Sequence, residues 1–174
     1  LSIRRQRQMC IRDRIWTDQG SPLINNTISL GEKISTKSGV PLEVAMRYQY
    51  PSIEEGLVNL RDQGCSDIFV VPLYPHYAMS TTLTTEKEVK RIEHELSLNL
   101  NLIFAEPFYK EEGYIESLSQ TIDLNRQEKS DYLLFSYHGI PNRHLTKTDP
   151  TQSHCLKVQN CCDIESEAKP YCYK

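Results

Sequence analysis

The chain contains no uninterrupted apolar run near the roughly 18 residues that a membrane-spanning helix needs, and its first residues lack the apolar core of a secretory signal. It has no excess of positive charge either: 20 Lys and Arg stand against 23 Asp and Glu, net −3, with an isoelectric point near 6.0. Nucleic acid is therefore not the expected main partner. Its six cysteines are too few for a disulfide scaffold in a chain of 174 residues, and paired Cys-x2–4-Cys arms of a zinc site are missing. With neither signal nor scaffold, the expected compartment is the cytoplasm. What remains is a globular composition, 39% hydrophobic and 25% charged, long enough for one ordinary domain.

Residues 1–14 stand apart. Five arginines with Ser2, Gln6 and Gln8 among few apolar side chains show neither helical nor strand period. They read as an unstructured or non-native leader, with a basic arm for phosphates or a membrane surface as the alternative.

From residue 15 the pattern alternates. Ser21-Pro22 predicts a helix start, with Ile24, Ile28, Leu23 and Leu30 as its apolar face and Gly39 as its end. Leu42 to Tyr48 predicts a strand. Ser52 with Glu55 predicts a capping box for a helix carrying Ile53, Leu57 and Leu60 and ending at Gly64. Asp67 to Leu73 predicts a second strand, and Thr85 with Glu88 a second capping box before Val89, Ile92 and Leu96. Asn101 to Ala105 is the third expected strand; Ile115, Leu118 and Ile122 mark a third amphipathic helix after it. Leu133-Leu134-Phe135 is expected to be a fourth, buried parallel strand. Such alternation predicts an α/β fold with a doubly wound parallel sheet, in which ligands bind beyond the carboxyl ends of the strands.

Chemistry concentrates at those ends. Pro72-Leu73-Tyr74-Pro75, Glu106-Pro107-Phe108-Tyr109 and Tyr137-His138-Gly139-Ile140-Pro141 each follow an expected strand, so their aromatics are expected to form a flat wall at one rim. His138 is the candidate base or metal contact, since an imidazole near its reference pKa of about 6.5 is largely unprotonated at neutral pH. A turn histidine bonded to backbone is the plain alternative. Tyr74 and Tyr77 could pack on a planar ligand, Ser80 could bind carboxylates just before a helix, and Arg47 could form a charge-assisted fork or a structural ion pair. His94, His144 and His154 are weaker candidates, and Glu86, Glu88, Glu93 and Glu95 read as a solvated helix face.

Ser136-Tyr137-His138-Gly139-Ile140-Pro141 closely resembles the active-site histidine segment of ferrochelatases. Met46-Arg47-Tyr48 and the segment Val71-Pro72-Leu73-Tyr74-Pro75-His76-Tyr77-Ala78-Met79-Ser80-Thr81-Thr82 resemble two further segments of that family, in its order. His76 departs from the glutamine common in relatives. The resemblance, which covers Ile15 to Lys174, implies one Rossmann-like half of a two-domain class II chelatase. It also implies insertion of Fe2+ into protoporphyrin IX to form protohaem, with His138 as the catalytic histidine and iron contact, and Arg47, Tyr48, Tyr74, Tyr77 and Ser80 at the porphyrin. Coproporphyrin III as substrate, or a non-catalytic tetrapyrrole- or metal-binding module, are the alternatives. The implied partners are a porphyrin and ferrous iron, with peripheral membrane contact left open.

By the same resemblance, residues 15–142 form the α/β half-domain, and residues 143–174 a cysteine-rich loop leading to a second half whose cleft-facing acidic residue has no counterpart here. The chain is thus expected to be an interior fragment, inactive alone. Four thiols, Cys155, Cys161, Cys162 and Cys172, fall in that loop. Their irregular spacing suits an iron–sulfur cluster better than zinc, and some ferrochelatases carry a [2Fe–2S] cluster on cysteines after the active-site histidine. Reduced thiols without metal are the alternative, and adjacent Cys161 and Cys162 would strain one small cluster.

Overall fold

The computed structural model describes residues 15–126 and 132–171; the expected leader and Cys172 lie outside the described residues. The element order is α1 (Pro22–Ser38), α2 (Ile53–Asp62), β1 (Asp67–Val70), a five-residue π-helix (Met79–Leu83), α3 (Thr84–Glu95), β2 (Asn101–Phe104), α4 (Glu112–Asn125) and α5 (Asn142–Thr148). Short 3-10 turns follow at Cys161–Asp163 and Lys169–Tyr171. The chain divides into two compact units. One runs up to Ile68 and includes Glu88–Leu102; the other comprises Phe69–Lys87 and the chain from Ile103 onward.

In the first unit, α1 starts where Pro22 fixes the first helical φ and needs no amide hydrogen. It stops where Gly39 turns left-handed at φ 68° and donates to the Ser35 carbonyl at 2.9 Å. The expected apolar face of α1 is not what it buries. Leu23, Ile28 and Leu30 remain exposed, and Gly31 is the helix's one buried residue. A Cβ at Gly31 would come within 2.6 Å of Val44 Cγ2 and 3.1 Å of Leu42 Cδ2. Those contacts explain the reversal, because the missing side chain lets the 42–44 segment close onto that turn of the helix.

The capping box of α2 forms as the sequence predicts. The Glu55 amide donates to Ser52 Oγ at 3.1 Å, and the Ser52 amide to Glu55 Oε2 at 3.3 Å. Ile53 and Leu57 then face inward with Ile68, Val89, Ile92, Leu98 and Leu100, which together make the buried apolar core of this unit. Gly64, at φ 86°, closes the helix by donating to the Arg61 carbonyl.

Strands β1 and β2 pair in parallel: the Asn101 amide donates to the Ser66 carbonyl at 2.8 Å and that of Ala105 to Val70 at 2.9 Å. With α3 between them they form a βαβ unit. Burial alternates along both, with Ile68, Val70, Leu102 and Phe104 turned inward and Phe69 and Ile103 outward.

Two expected strands do not form. Leu42 to Tyr48 makes one isolated parallel bridge, Met46 to Ser52, because the Met46 amide donates to the nearby Pro51 carbonyl at 2.7 Å rather than to a neighbouring strand. Leu133-Leu134-Phe135 forms no ladder: no backbone hydrogen bond among the described residues engages it, and Leu134 is 94% exposed. An apolar run becomes a parallel strand only by docking on a sheet edge, and among the described residues β1 and β2 pair solely with each other. The second capping box is also absent. Thr85 cannot cap, since the chain is already helical from Met79, and Thr84 Oγ1 donates back to the Ser80 and Thr81 carbonyls instead. These observations support an α/β assembly of helices with a small parallel sheet.

Candidate functional site

Past β1, Pro72 and Pro75 cannot extend the ladder, so the chain turns. The Tyr74 amide donates to the Pro72 carbonyl at 2.7 Å. Past β2, the Tyr109 amide donates to the Pro75 carbonyl at 3.1 Å, which ties two of the three expected rim segments together. Their aromatics meet as well. The His76 ring stacks on Tyr109 with centroids 4.6 Å apart and planes 15° from parallel, and Phe108 packs edge-on against Tyr114 at 5.5 Å. Aromatic rings of two of the three expected rim segments therefore meet here, stacked in one pair and edge-on in the other, with His76 among them.

Tyr77 leads into the π-helix, a turn type that often marks functional positions. Its ring stands edge-on to Tyr171 at 4.9 Å. Burial, then the negative charge of Glu86 and the neighbouring Tyr171, push its phenol above the ordinary 10.0. A small cavity, lined by Tyr77, Met79, Ile140, His144, Leu145 and Tyr171 among others, joins this tyrosine to the turn that follows His138. Ile140 is thus the residue through which the His-Gly-Ile-Pro segment reaches the Tyr77 segment. His138 itself is exposed, as are Tyr74 and Ser80. The Thr82 hydroxyl and His144 Nδ1 are buried without a hydrogen-bond partner among the described residues.

Arg47 and Tyr48 belong to the first unit, whereas Tyr74, Tyr77, Ser80 and His138 belong to the second. Within its unit Arg47 takes the structural alternative in part: Nη2 lies 3.8 Å from Glu88 Oε2 and the guanidinium sits 4.6 Å over the Tyr48 ring. Its Nε is buried without a hydrogen-bond partner among the described residues. Glu88 is not the solvated residue expected from the sequence. Arg91 grips it with two hydrogen bonds, of 3.1 and 2.8 Å, and also pairs with Glu95. Those bonds, against the opposing effect of burial and with help from the Arg47 charge, hold the Glu88 carboxyl below its ordinary range. Arg47 is thus anchored loosely, with donors left over for a further acceptor.

In the loop after α5, Cys155, Cys161, Cys162, His154, Ala168 and Lys169 line a cavity of about 20 Å³. The Cys161 and Cys162 sulfurs are 3.9 Å apart. These residues do not fit a cluster. His154 Nε2 is engaged with the Cys161 carbonyl at 2.8 Å, the Lys169 ammonium shares the lining, and no three Cys, His, Asp or Glu side chains among the described residues converge as ligands. The fourth thiol of the expected set, Cys172, lies outside the described residues.

One residue that organises this unit escaped sequence reasoning: Asp149, which ends α5, and only the Asp149-Pro150-Thr151 turn signal could have pointed to it. His144, a weaker candidate in the sequence, lies within α5 and lines the cavity beside Tyr77.

Comparison with known proteins agrees with the segment resemblance. The ferrochelatase family profile matches residues 3–171. The chain is 42% identical over 155 residues to a ferrochelatase of Pseudomonas fluorescens (strain Pf0-1), covering 88% of this chain and 46% of that protein. It is 42% identical over 164 residues to one of Stutzerimonas stutzeri (92% and 48%), and 43% identical over 155 residues to one of Ectopseudomonas mendocina (88% and 45%). It therefore spans about half the length of the curated relatives it matches. No solved structure matches. Since the profile runs through nearly the whole described chain, the His138 turn and the Tyr77 segment included, the chain belongs to the ferrochelatase family.

Proposed function

We propose that this chain carries the histidine-bearing half of an enzyme that inserts Fe2+ into protoporphyrin IX to form protohaem. The observation that best supports the reading is the union of the His138–Pro141 turn with the Tyr77 segment through Ile140, within a chain that the family profile spans.

Metal insertion removes two pyrrole protons while iron sheds water, so it needs an accessible base, a route for the metal and a shaped wall. His138 is exposed and can take a pyrrole proton on a ring nitrogen or make the first contact to the incoming iron, which is here a substrate. Tyr74 and Tyr77, with the His76–Tyr109 stack, offer ring faces and edges to the macrocycle. Ser80 can donate to a propionate, while for Arg47, whose guanidinium lies over the Tyr48 ring, a role toward a carboxylate is supported by the family resemblance of its segment alone. We read the βαβ unit as part of a larger doubly wound sheet, and the chain as inactive without the remainder of the enzyme. The cytoplasm is the proposed compartment. A [2Fe–2S] cluster has no part in this reading, because the described thiols do not fit one.

In a complete enzyme containing this sequence, His138→Ala should lower kcat for iron insertion by about 10²–10⁴, the usual worth of a positioned base, while porphyrin binding followed by fluorescence stays within a few-fold. Retained turnover would refute the role. The ratio of kcat/KM for protoporphyrin IX and coproporphyrin III decides the substrate, and a complete protein that binds porphyrin without turnover would favour the non-catalytic module.

A further inference from the structure

Asp149 is the largest fully buried side chain among the described residues, 1% exposed, and its carboxylate has every acceptor position used. Oδ1 accepts from the Thr151 amide at 2.9 Å and the Thr151 hydroxyl at 2.7 Å; Oδ2 accepts from the His154 amide at 2.8 Å and the Cys155 amide at 2.9 Å. The Asp149 carbonyl also receives the Gln152 amide at 3.1 Å and the Gln152 side chain at 2.8 Å. A 3-10 turn brings Cys161 and Cys162 to the same cavity, where His154 Nε2 meets the Cys161 carbonyl and the Lys169 ammonium meets that of Cys162.

A loop this poor in buried apolar side chains needs some other source of order. Ligation by the thiols is one source, but the described side chains do not converge on a metal and Lys169 brings a positive charge to the cavity. We propose that Asp149 is the positioning residue of the thiol loop: its carboxylate, rather than a metal, holds Cys155 against the cavity shared with Cys161 and Cys162. Charged acceptors bond about twice as strongly as neutral ones. Replacing the carboxylate with an amide removes the charge that strengthens all four bonds and turns an NH2 group toward at least one amide donor; on the Thr151 side the hydroxyl can reverse and accept, but the Thr151 amide cannot.

A short bifunctional alkylator that fluoresces only after both of its ends have reacted with neighbouring thiols, followed by peptide mapping, tests this on the 174-residue chain. The wild type should yield a link from Cys155 to Cys161 or Cys162. Asp149→Asn should cut that link at least fivefold, leave the Cys161–Cys162 link unchanged because those residues are adjacent in sequence, and keep the far-ultraviolet circular dichroism. Thr151→Val, which removes only the hydroxyl donor, should give an intermediate yield, and it decides the matter if Asp149→Asn does not fold. Wild-type yield in either variant overturns the proposal. So does anaerobically purified protein in which iron and sulfide block these thiols and their removal abolishes the Cys155 link.

Discussion

At the scale of single residues, the groups with chemistry to offer are held by few partners, and that governs how they respond to change. Arg47 and Glu88 each keep about a quarter of their side-chain surface exposed, and their closest atoms are 3.8 Å apart. A half-buried pair whose atoms stay at that distance, without a hydrogen bond between them, contributes little. A double-mutant cycle of Arg47→Met and Glu88→Gln, read by urea unfolding, should therefore give a coupling below about 1 kcal/mol. The larger effect of Arg47→Met should appear in ligand binding, as a several-fold loss of affinity for a porphyrin dicarboxylate with none for its dimethyl ester. Tyr77 responds to pH. Its phenol is raised by burial first and by Glu86 and Tyr171 after, so the neutral form is favoured in the folded state. That stabilising contribution is complete below the unfolded value near 10 and is lost as pH rises through the higher folded value. Alkaline titration at 295 nm, as the difference between wild type and Tyr77→Phe, should show one tyrosine ionising later than the rest, and Glu86→Gln should bring it earlier. Residue types and their order were legible in the sequence because the segments around Arg47, Tyr77 and His138 carry a family pattern. The Glu88–Arg91 grip and the buried Asp149 were not, since which charge meets which depends on helix rotation and loop closure that no local pattern encodes.

At the scale of elements, legibility followed the strength of local physics. The Ser52 capping box and the left-handed Gly39 and Gly64 stops involve neighbours within a few positions, and all formed. Ser52→Ala should cost about 1 kcal/mol, read as a lower urea midpoint with an unchanged slope. Strands need partners from elsewhere, so Leu42 to Tyr48 and Leu133 to Phe135, apolar as they are, did not become strands. The face of α1 departs from its periodicity for a related reason. Periodicity ranks side chains by hydrophobicity and gives a glycine no weight, yet Gly31 is where the 42–44 segment closes in. Gly31→Ala sets two effects against each other: a gain of up to about 1 kcal/mol in helix propensity and overpacking against Val44 costing about 1–3 kcal/mol. With 2.6 Å available the clash should win, and Val44→Ala in the same chain should restore much of the loss; a stabilised single variant would show that the segment moves aside freely.

At the scale of the whole molecule, the unusual feature is how much apolar surface stays uncovered. Phe69 (64% exposed), Val71, Leu73 and Ile103 form one side of the sheet and its continuation, α4 buries none of its residues, and Leu133, Leu134 and Tyr137 are exposed. Parallel sheets are ordinarily covered on both faces, and contiguous apolar patches of this kind mark surfaces that take a further layer. The relatives are about twice as long as this chain, so under the proposed function the cover is the additional sequence that a protein of their length carries. The two faces of β1 give a direct test. Ile68→Lys places a charge in the core, where Ile68 is 6% exposed, and should abolish cooperative unfolding of the 174-residue chain. Phe69→Lys, one position on, should shift its stability by no more than about 0.5 kcal/mol, as surface substitutions do, and should reduce its binding of a fluorescent apolar dye. In the complete enzyme the same Phe69→Lys change should become as damaging as Ile68→Lys, because the covering layer would then bury an unpaired charge. Equal tolerance of Phe69→Lys in both lengths of protein would mean that this face stays open to solvent in the finished fold.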